Sequence, residues 1–596
     1  MQNKWSASWV SPKSIDEGQS TILFRKKITV KKVNAIFGIH LASSHDYQLF
    51  VNGEIVDNHV NNHVGIFQTY DLSRYLLEGE NSIAVLCVIS NNSNKVCRIL
   101  VQGNSNVEEV VNTNGSWKYY GSKAISKKEQ VCHYRTVYFP SRWQYNYFND
   151  FSWENCIQQE VVEQLKPTSG PEFLWIRRYF QQVHRVHGVN LKEKTIGNGK
   201  SIIIPRNTTV TMLLDADSIS LGLLSLITTK GKGSEILIDY CESMVMYDTA
   251  TKTKHPLLGD RNELLGKVAI GHREVYSLRG GFKEVNYSVV PQVFRFAQVK
   301  IITGEQEMKI DDIFYYEPVS SNLPQVIFHT DNKVDNKVWK LSYNTYKIID
   351  AIYNKKVKHD EFNSFSDRLY GLGSLALNHD IESYKNIVAS YLENIDSNIL
   401  HNDTGRIIDF IIAVEMLEEV LGYKKDVDFM SKYKNEVANL IDYIATLVDA
   451  SKCEFRDEAM FWDKQVIYKE SFSDLMMVKL FHLYVALLSS EKILQQTALE
   501  SNVDINNVLN CLKQHIIDRF WDKEQGGFFD EKSPKEWNNV ANLLAVYSGV
   551  ITDTNKVISV IEQVNSTGVP GEYTVYLFKT LKTIDYIEYA FDLSSW

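Results

Sequence analysis

Proline and glycine are unevenly distributed along the 596 residues of this chain. Nine of the 11 prolines lie at or before Pro324, and 21 of the 30 glycines lie before residue 325. Both residues destabilise the interior of a helix and are therefore rare there. The distribution predicts a β-rich first half and a helical second half.

Short β-branched segments bounded by turn residues recur through the first half, at 21–30, 47–56, 82–90, 201–205, 210–216, 234–240 and 297–302. Within the second of them, Asn52-Gly53 is a hairpin signal. This spacing favours β-sandwiches over βαβ units. We expect one sandwich over 1–160, with the aromatic-rich stretch 142–153 packed on it as a connector, and a second sandwich over 161–323.

Apolar residues recur at helical spacing in the second half, over 334–354, 407–422, 474–488 and 539–551. Asp331 is a candidate N-cap for the first of these helices. About ten such segments with short polar connections predict repeated helical hairpins. Residues 324–596 are therefore expected to form a solenoid or a closed α/α toroid.

Composition excludes several classes of function. The chain has 64 Lys and Arg against 73 Asp and Glu, and its net charge of −9 argues against a general nucleic-acid binder. No apolar window reaches the roughly 18 residues of a membrane span, and the N-terminus lacks the pattern of a signal peptide, so we expect a cytoplasmic protein with no membrane partner. Seven scattered cysteines indicate reduced thiols. We expect no metal and no cofactor.

Carboxyl groups cluster near the start of the helical half. Glycoside hydrolysis generally needs two of them across the sugar, with aromatic and polar groups around it. The stretch 358–373 supplies Asp360, Glu361 and Asp367, followed by Arg368, although it could also be a solvated helix start. Two further clusters could contribute to a sugar-binding site. Phe461, Trp462 and Asp463 could do so, or could instead belong to the packed core. Arg261, Asn262 and Glu263 could do so, or could instead form a charged turn.

A series of motifs, in order along the chain, resembles the bacterial α-L-rhamnosidases of glycoside hydrolase family 78. GDRNELLGK at 259–267 is similar to a Gly-Asn-Arg-Asn-Glu-x-x-Gly-Lys loop of one branch, and 290–301 is similar to a strand motif in which Phe294 and Arg295 match. Residues 391–403, 460–464 and 538–550 resemble a turn, a Trp-x-Phe-x-Asp-Trp motif and a helix of that branch. The resemblance runs from about residue 5 to the end. It implies two β-sandwiches, of which the first, 1–160, is carbohydrate-binding-like, followed by an (α/α)6-toroid-like, six-hairpin domain that lacks its last hairpin.

The resemblance also implies an inverting hydrolase and assigns roles to residues. An ungapped alignment places the general acid on Asp360 and the last carboxylate of the motif on Asp367, with Glu361 as an alternative acid and Asp463 matching a further motif. A gapped alignment places the acid on Asp367 and the leading, substrate-contacting Asp on Phe362. The ungapped alignment instead puts Lys355 at that leading position, where its charge is expected to lower a neighbouring carboxyl pKa. The family's general base would fall beyond Trp596, so the base is unknown.

Three hypotheses follow. The first is a divergent α-L-rhamnosidase-like hydrolase with weakened catalysis, acting on a terminal α-linked L-rhamnoside or a related sugar. It would contact a rhamnose-containing oligosaccharide through the polar and aromatic candidates Arg261, Asn262, Glu263, Phe461, Trp462 and Arg368. The second is an inactive homologue that binds carbohydrate or a partner chain. The third is a shortened product whose exposed helix faces would promote homo-oligomerisation or aggregation.

Overall fold

A computed structural model describes residues 5–60, 65–89, 96–128, 131–168, 172–191, 195–248, 253–255, 262–321, 323, 328–355, 364–393, 407–424, 426–452, 454–455, 476–529 and 536–584. The chain divides into two compact units. A β unit comprises Met1–Leu323 and Lys347–Lys358, and a helical unit comprises Pro324–Tyr346 and His359–Trp596. The predicted change from β to helical structure is confirmed. The boundary between two sandwiches at residue 160 stays a prediction.

Two six-stranded sheets form from the first part of the β unit. In spatial order, one contains Ile157–Gln159, Trp9–Ser11, Ile99–Gly103, Gly38–Ser43, Ile66–Asp71 and Lys166–Pro167. The other contains Glu154–Asn155, Lys118–Ser122, Thr21–Val30, Gly79–Val88, Asp46–Val51 and Glu54–His59. The Asn52-Gly53 hairpin is confirmed, because both residues have the positive φ angles, 53° and 91°, that such a tight turn requires. Buried side chains of both sheets, such as Ile22, Ile39 and Val101, form one core.

The remaining large sheet has 11 strands. Its spatial path is Ile125–Lys128, Val131–Arg135, Arg273–Ser277, Glu235–Cys241, Gln292–Ile302, Thr209–Lys230, Met308–Ser320 and Phe173–Arg178, with Gln182–His187, Ile202–Ile204 and Glu284–Tyr287 attached beside it. The prediction of a strand at 210–216 was too short, since Thr209–Lys230 continues through a register shift between Asp215 and Ser220. The strand Thr209–Lys230 pairs with both Gln292–Ile302 and Met308–Ser320, and so it joins the strands on its two sides into one sheet.

Short elements complete the described strands. Three two-stranded ribbons pair Met246–Asp248 with Thr253–His255, Val448–Asp449 with Glu454–Phe455, and Trp521–Asp522 with Gly527–Phe528. Single 3-10 turns lie at Ser73–Tyr75, Glu108–Val111, Thr136–Tyr138 and Gly571–Tyr573.

The described residues include eleven α-helices, which are α1 Lys333–Asn354, α2 Ser364–Asn378, α3 Ile381–Glu393, α4 Ile407–Tyr423, α5 Val427–Lys432, α6 Lys434–Thr446, α7 Met476–Thr497, α8 Ile505–Phe520, α9 Asn539–Tyr547, α10 Thr554–Thr567 and α11 Thr574–Thr583. The helical unit has its own apolar core. Helices α4 and α7 pack against each other and are largely buried, so they form the centre of that core. The closure of the helices into a six-hairpin toroid stays a prediction. Among the described helices, none combines the length and apolar character needed to span a membrane.

Two local expectations are corrected. Helix α1 begins at Lys333, and the side chain of Asn332, not Asp331, accepts a hydrogen bond from the Val334 amide at 2.9 Å. Asn caps helices as well as Asp does, and it stands directly before the first helical residue. Five described cysteines are buried free thiols, but Cys511 is disulfide-bonded, because scattered spacing does not show which cysteines the fold brings together.

Candidate functional site

The first turn of α2 places successive side chains against different partners. The Phe365 ring packs edge-on against His482, with 5.4 Å between the ring centroids. The Tyr391 hydroxyl donates to Asp367 Oδ2 at 2.5 Å. Arg368 extends into the buried interior of the helical unit. This divergence follows from the helical step of about 100° per residue, since neighbouring residues leave the axis in different directions.

Arg368 is the centre of a buried ionic cluster. Its side chain is 2% exposed, and its guanidinium lies 2.8 Å from Glu415 and 2.7 Å from Glu419. These carboxylates are four residues apart on α4 and therefore share one face of that helix. Lys579 of α11 forms an ion pair with Glu419, so the cluster contains two cations and two anions.

Electrostatics keep this cluster ionised at neutral pH. Burial alone would raise the pKa of Glu419, but the charges of Arg368 and Lys579 outweigh it and lower the pKa to about 2. The pKa of Glu415 is also lowered, because Arg368 overcomes the effect of burial. Two carboxylates whose pKa values are lowered stay charged at neutral pH and are not suited to donating a proton.

Hydroxyl and imidazole groups surround the carboxylates. The Tyr576 hydroxyl lies 2.8 Å from Glu415 Oε2, and the Tyr384 hydroxyl donates to Glu419. His482 Nδ1 is 3.8 Å from Glu415 Oε1, and its Nε2 lies 3.3 Å from the Tyr573 hydroxyl. The cluster thus joins side chains of α2, α3, α4, α7 and α11.

In the β unit, the loop around Asn262 is attached to the large sheet. Arg295 Nη2 donates to Asn262 Oδ1 at 2.7 Å, while the same guanidinium contacts both carboxylate oxygens of Asp215 at 3.0 and 3.2 Å. Arg185 donates to the Lys267 carbonyl at 2.6 Å and secures the other end of the loop. The described part of the first motif, 262–267, is therefore brought together with the motif at 290–301, and Glu263 is exposed beside them.

Lys355 belongs to a second buried network, within the β unit. Its Nζ lies 2.5 Å from Asp57 Oδ1, and Asp57 also accepts hydrogen bonds from Trp175 Nε1 at 3.0 Å and from the Tyr70 hydroxyl at 2.7 Å. Burial would raise the pKa of Asp57, but the neighbouring ammonium of Lys355 outweighs it and lowers that pKa. The charge of Lys355 is thus offset inside the protein. In the part of the chain that the structure describes, no three His, Cys, Asp or Glu side chains are grouped as metal ligands.

No protein-family model and no curated protein matches this sequence. Solved structures do match it over nearly its whole length. The family 78 rhamnosidase of Bacillus sp. GL1 is 11% identical with a TM-score of 0.71, over 98% of this chain and 85% of that one. The α-L-rhamnosidase of Aspergillus terreus is 14% identical with a TM-score of 0.60, over 98% and 70%. That of Streptomyces avermitilis, solved with L-rhamnose, is 11% identical with a TM-score of 0.60, over 97% and 56%.

The chain has the fold of the family 78 α-L-rhamnosidases. The resemblance drawn from its sequence motifs is confirmed at the level of the fold. Within this rhamnosidase fold, the described candidates are Asp367 and Arg368 in the helical unit and Asn262 and Glu263 in the β unit. Their catalytic or binding roles stay predictions. Six further candidates lie outside the described residues, namely Arg261, Asp360, Glu361, Phe461, Trp462 and Asp463.

Sequence reasoning missed the buried carboxylates that form ion pairs with Arg368 and Lys355. Glu415 and Glu419 did carry a signal, because they stand four residues apart in a helix that is mostly apolar and has only two other charged residues, Asp409 and Glu418. Charged residues in such a stretch are seldom buried unless they are paired. The sequence signal at Asp57 is weaker, because its strand, Glu54–His59, contains other polar residues and Asp57 does not stand out among them.

Proposed function

We propose that this protein is a glycoside hydrolase of the α-L-rhamnosidase type, which cleaves a terminal α-linked L-rhamnoside or a related sugar with inversion. The supporting observation is the likeness of fold to α-L-rhamnosidases over 97–98% of the chain. The solved Streptomyces avermitilis enzyme holds L-rhamnose, which makes this sugar the first one to test.

In the proposed reaction, Asp360 is the general acid that protonates the glycosidic oxygen, and Glu361 and Asp367 are the alternative acids. An inverting enzyme also needs a carboxylate about 6.5–9.5 Å away to activate water. Glu361, Asp367, Asp463 and Glu470 are the candidates for that second role. Sugar hydroxyls and ring faces are bound by polar and aromatic side chains, proposed as Arg261, Asn262, Glu263, Phe461, Trp462 and Arg368.

The ion pair of Lys355 bears on the acid role proposed for Asp360. An unpaired lysine close to a general acid would lower the pKa of that acid and hinder proton donation. Lys355 is instead paired with Asp57 at 2.5 Å, so its charge is compensated by a carboxylate. The lysine at this position is therefore compatible with hydrolysis.

The test is hydrolysis of p-nitrophenyl α-L-rhamnoside, followed by proton NMR of the first anomer released. The proposal predicts turnover, initial formation of β-L-rhamnose, and loss of turnover in Asp360→Asn. Retention of the α configuration would refute inversion. Loss in Asp367→Asn but not in Asp360→Asn would move the acid to Asp367.

A second candidate function is carbohydrate binding without turnover. The observation that favours it is the buried cluster around Arg368, in which Glu415 and Glu419 are ion-paired and their pKa values are lowered. Neither of these carboxylates is therefore suited to donate the proton that hydrolysis needs. Calorimetry would then show binding of L-rhamnose with no release of p-nitrophenol from the aryl rhamnoside.

A further inference from the structure

The connector at 142–153 packs on one face of a strand of the β unit, Lys118–Ser122. Tyr120 of that strand stacks on Trp153 of the connector, with 5.5 Å between the ring centroids. Trp153 is buried, but Phe151, two residues before it, is 88% exposed, and Tyr120 itself is 37% exposed. The connector therefore leaves aromatic surface uncovered where it crosses the strand.

A second exposed segment meets the same strand two residues further on. The Ser122 hydroxyl donates to the carbonyl of Tyr138 at 2.9 Å, which places the 3-10 turn Thr136–Tyr138 over the end of the strand. Tyr138 is 46% exposed and Val137 is 61% exposed. Ser122 and Tyr120 point to the same side of the strand, because side chains alternate between its two faces. The exposed side chains of both segments thus adjoin, and we call them the apolar patch: Tyr120, Val137, Tyr138 and Phe151.

Buried polar contacts hold the connector in this position. Arg25 is fully buried, and its guanidinium donates to the carbonyl of Trp143 at 2.7 Å. The same guanidinium forms an ion pair with Asp150, whose carboxylate also accepts a hydrogen bond from Lys118 Nζ at 3.2 Å. Phe151 follows directly after this anchored carboxylate. Its backbone is therefore fixed in advance, so little conformational entropy is lost when a partner covers its ring.

The size of the apolar patch is that of the centre of a dimer interface. A standard interface buries about 800 Å² on each partner, and roughly 55–65% of that area is apolar. The exposed fractions of the four side chains correspond to about 400 Å², if a fully exposed aromatic side chain presents about 200 Å². The patch alone thus supplies most of the apolar area that one partner of a stable dimer needs. Surfaces of this size on a single chain mark interaction sites.

The chemistry of the apolar patch fits a second copy of this chain. In a two-fold dimer the same surface of both copies meets, so a charge near its centre would face the same charge. The patch consists of three aromatic rings and one valine and contains no charged side chain. Aromatic rings are enriched at the centres of such interfaces. We propose that this protein forms a two-fold symmetric homodimer, in which the apolar patch of one copy packs against the apolar patch of the other.

The test is sedimentation velocity of the full chain, together with light scattering, over a range of concentrations. The proposal predicts a species of twice the mass of the chain, with a dimer Kd of about 1 µM or tighter. Phe151→Asp should weaken dimerisation by about 100-fold or more, because it places an unpaired charge in the contact twice. Tyr138→Asp, in the other segment of the patch, should have the same effect. Leu265→Asp is the matched control, because Leu265 is 89% exposed in the β unit and lies outside the patch.

Three results would overturn the proposal. They are a monomer at concentrations well above the predicted Kd, a dimer that Phe151→Asp and Tyr138→Asp leave intact, and equal dissociation by Leu265→Asp. Circular dichroism of the variants separates a lost contact from a lost fold. The changed side chains are exposed, so the spectra should match that of the wild type. None of these measurements depends on rhamnoside hydrolysis, so the dimer is tested independently of the proposed function.

Discussion

The Nζ of Lys355 lies 2.5 Å from Oδ1 of Asp57, and both side chains are buried in the β unit. The two residues are 298 positions apart in the chain. The rings of Phe173 and Trp175 lie 4.9 and 5.8 Å from the ammonium, so this charge is held between a carboxylate and two aromatic faces. The pair ties the residue that follows α1 to the strand Glu54–His59.

Breaking this pair should destabilise the protein. Lys355→Met leaves the Asp57 carboxylate buried without its counter-charge, and such losses cost about 3–5 kcal/mol. The double variant Asp57→Asn/Lys355→Met should recover part of that loss, since no buried charge remains. Urea unfolding measures the free energy of unfolding of both variants. Glu307→Gln is the control, because its ion pair with Lys230 is exposed and should contribute nothing measurable. Equal stability of Lys355→Met and the wild type would show that the pair is not structural.

The ionic cluster of the helical unit predicts acid sensitivity. The pKa of Glu419 is about 2 in the folded protein, against an ordinary value of 4.5. A depressed pKa stabilises the fold above the unfolded value, and the contribution is lost as pH falls from about 4.5 towards 2. The shift corresponds to about 3 kcal/mol. Glu419→Gln should therefore be less stable at pH 7 and should show a flatter stability profile across this window.

Melting temperatures measured from pH 7 to pH 2 test this prediction. Glu418→Gln is the matched control, because it changes the adjacent residue of α4, which pairs with Lys492 at 3.3 Å and is not part of the cluster. If Glu418→Gln and Glu419→Gln respond alike to pH, the cluster does not determine the acid sensitivity.

The loop at 262–267 is predicted to contribute to sugar binding. Asn262→Ala removes the amide that Arg295 holds at 2.7 Å, while Arg295 keeps both contacts to Asp215. Stability should fall by no more than about 1 kcal/mol. The Kd for L-rhamnose should rise several-fold, because the loop loses its attachment to the sheet. Calorimetry measures this, with the exposed Leu265→Ala as control. An unchanged Kd in Asn262→Ala would remove the loop from the proposed site.

Local chemistry explains which parts of the fold could be predicted. Thr21–Val30 was predicted at its observed bounds, and the Asn52-Gly53 hairpin followed from turn preferences. The extension of the strand Thr209–Lys230 could not be predicted, because Asp215 and Asp217 interrupt the apolar pattern at the register shift. Tertiary pairing with the strands on either side, not local preference, continues the strand there.

The candidate site was predictable only as a set of residue types. The loop of Asn262 and the strand of Arg295 were identified as two separate motifs, and their contact is known only from the structure. The partners of Arg368 and Lys355 could not be predicted, because ion pairs between residues far apart in sequence leave no local pattern. Glu419 lies 51 positions from Arg368, and only the packing of α2 on α4 brings the two together.

In the proposed hydrolysis, Asp360 donates a proton to the leaving group of an α-L-rhamnoside. A comparison of wild type and Asp360→Asn on p-nitrophenyl and methyl α-L-rhamnoside tests this role, with Glu361→Gln as the neighbouring control. Loss of a general acid typically costs about 10²–10⁴-fold in rate. We expect Asp360→Asn to lose far more rate on the methyl rhamnoside, whose poor leaving group needs the proton, than on the aryl one. No hydrolysis of either substrate by the wild type, or an equal loss on both substrates in Asp360→Asn, would show that Asp360 is not the acid.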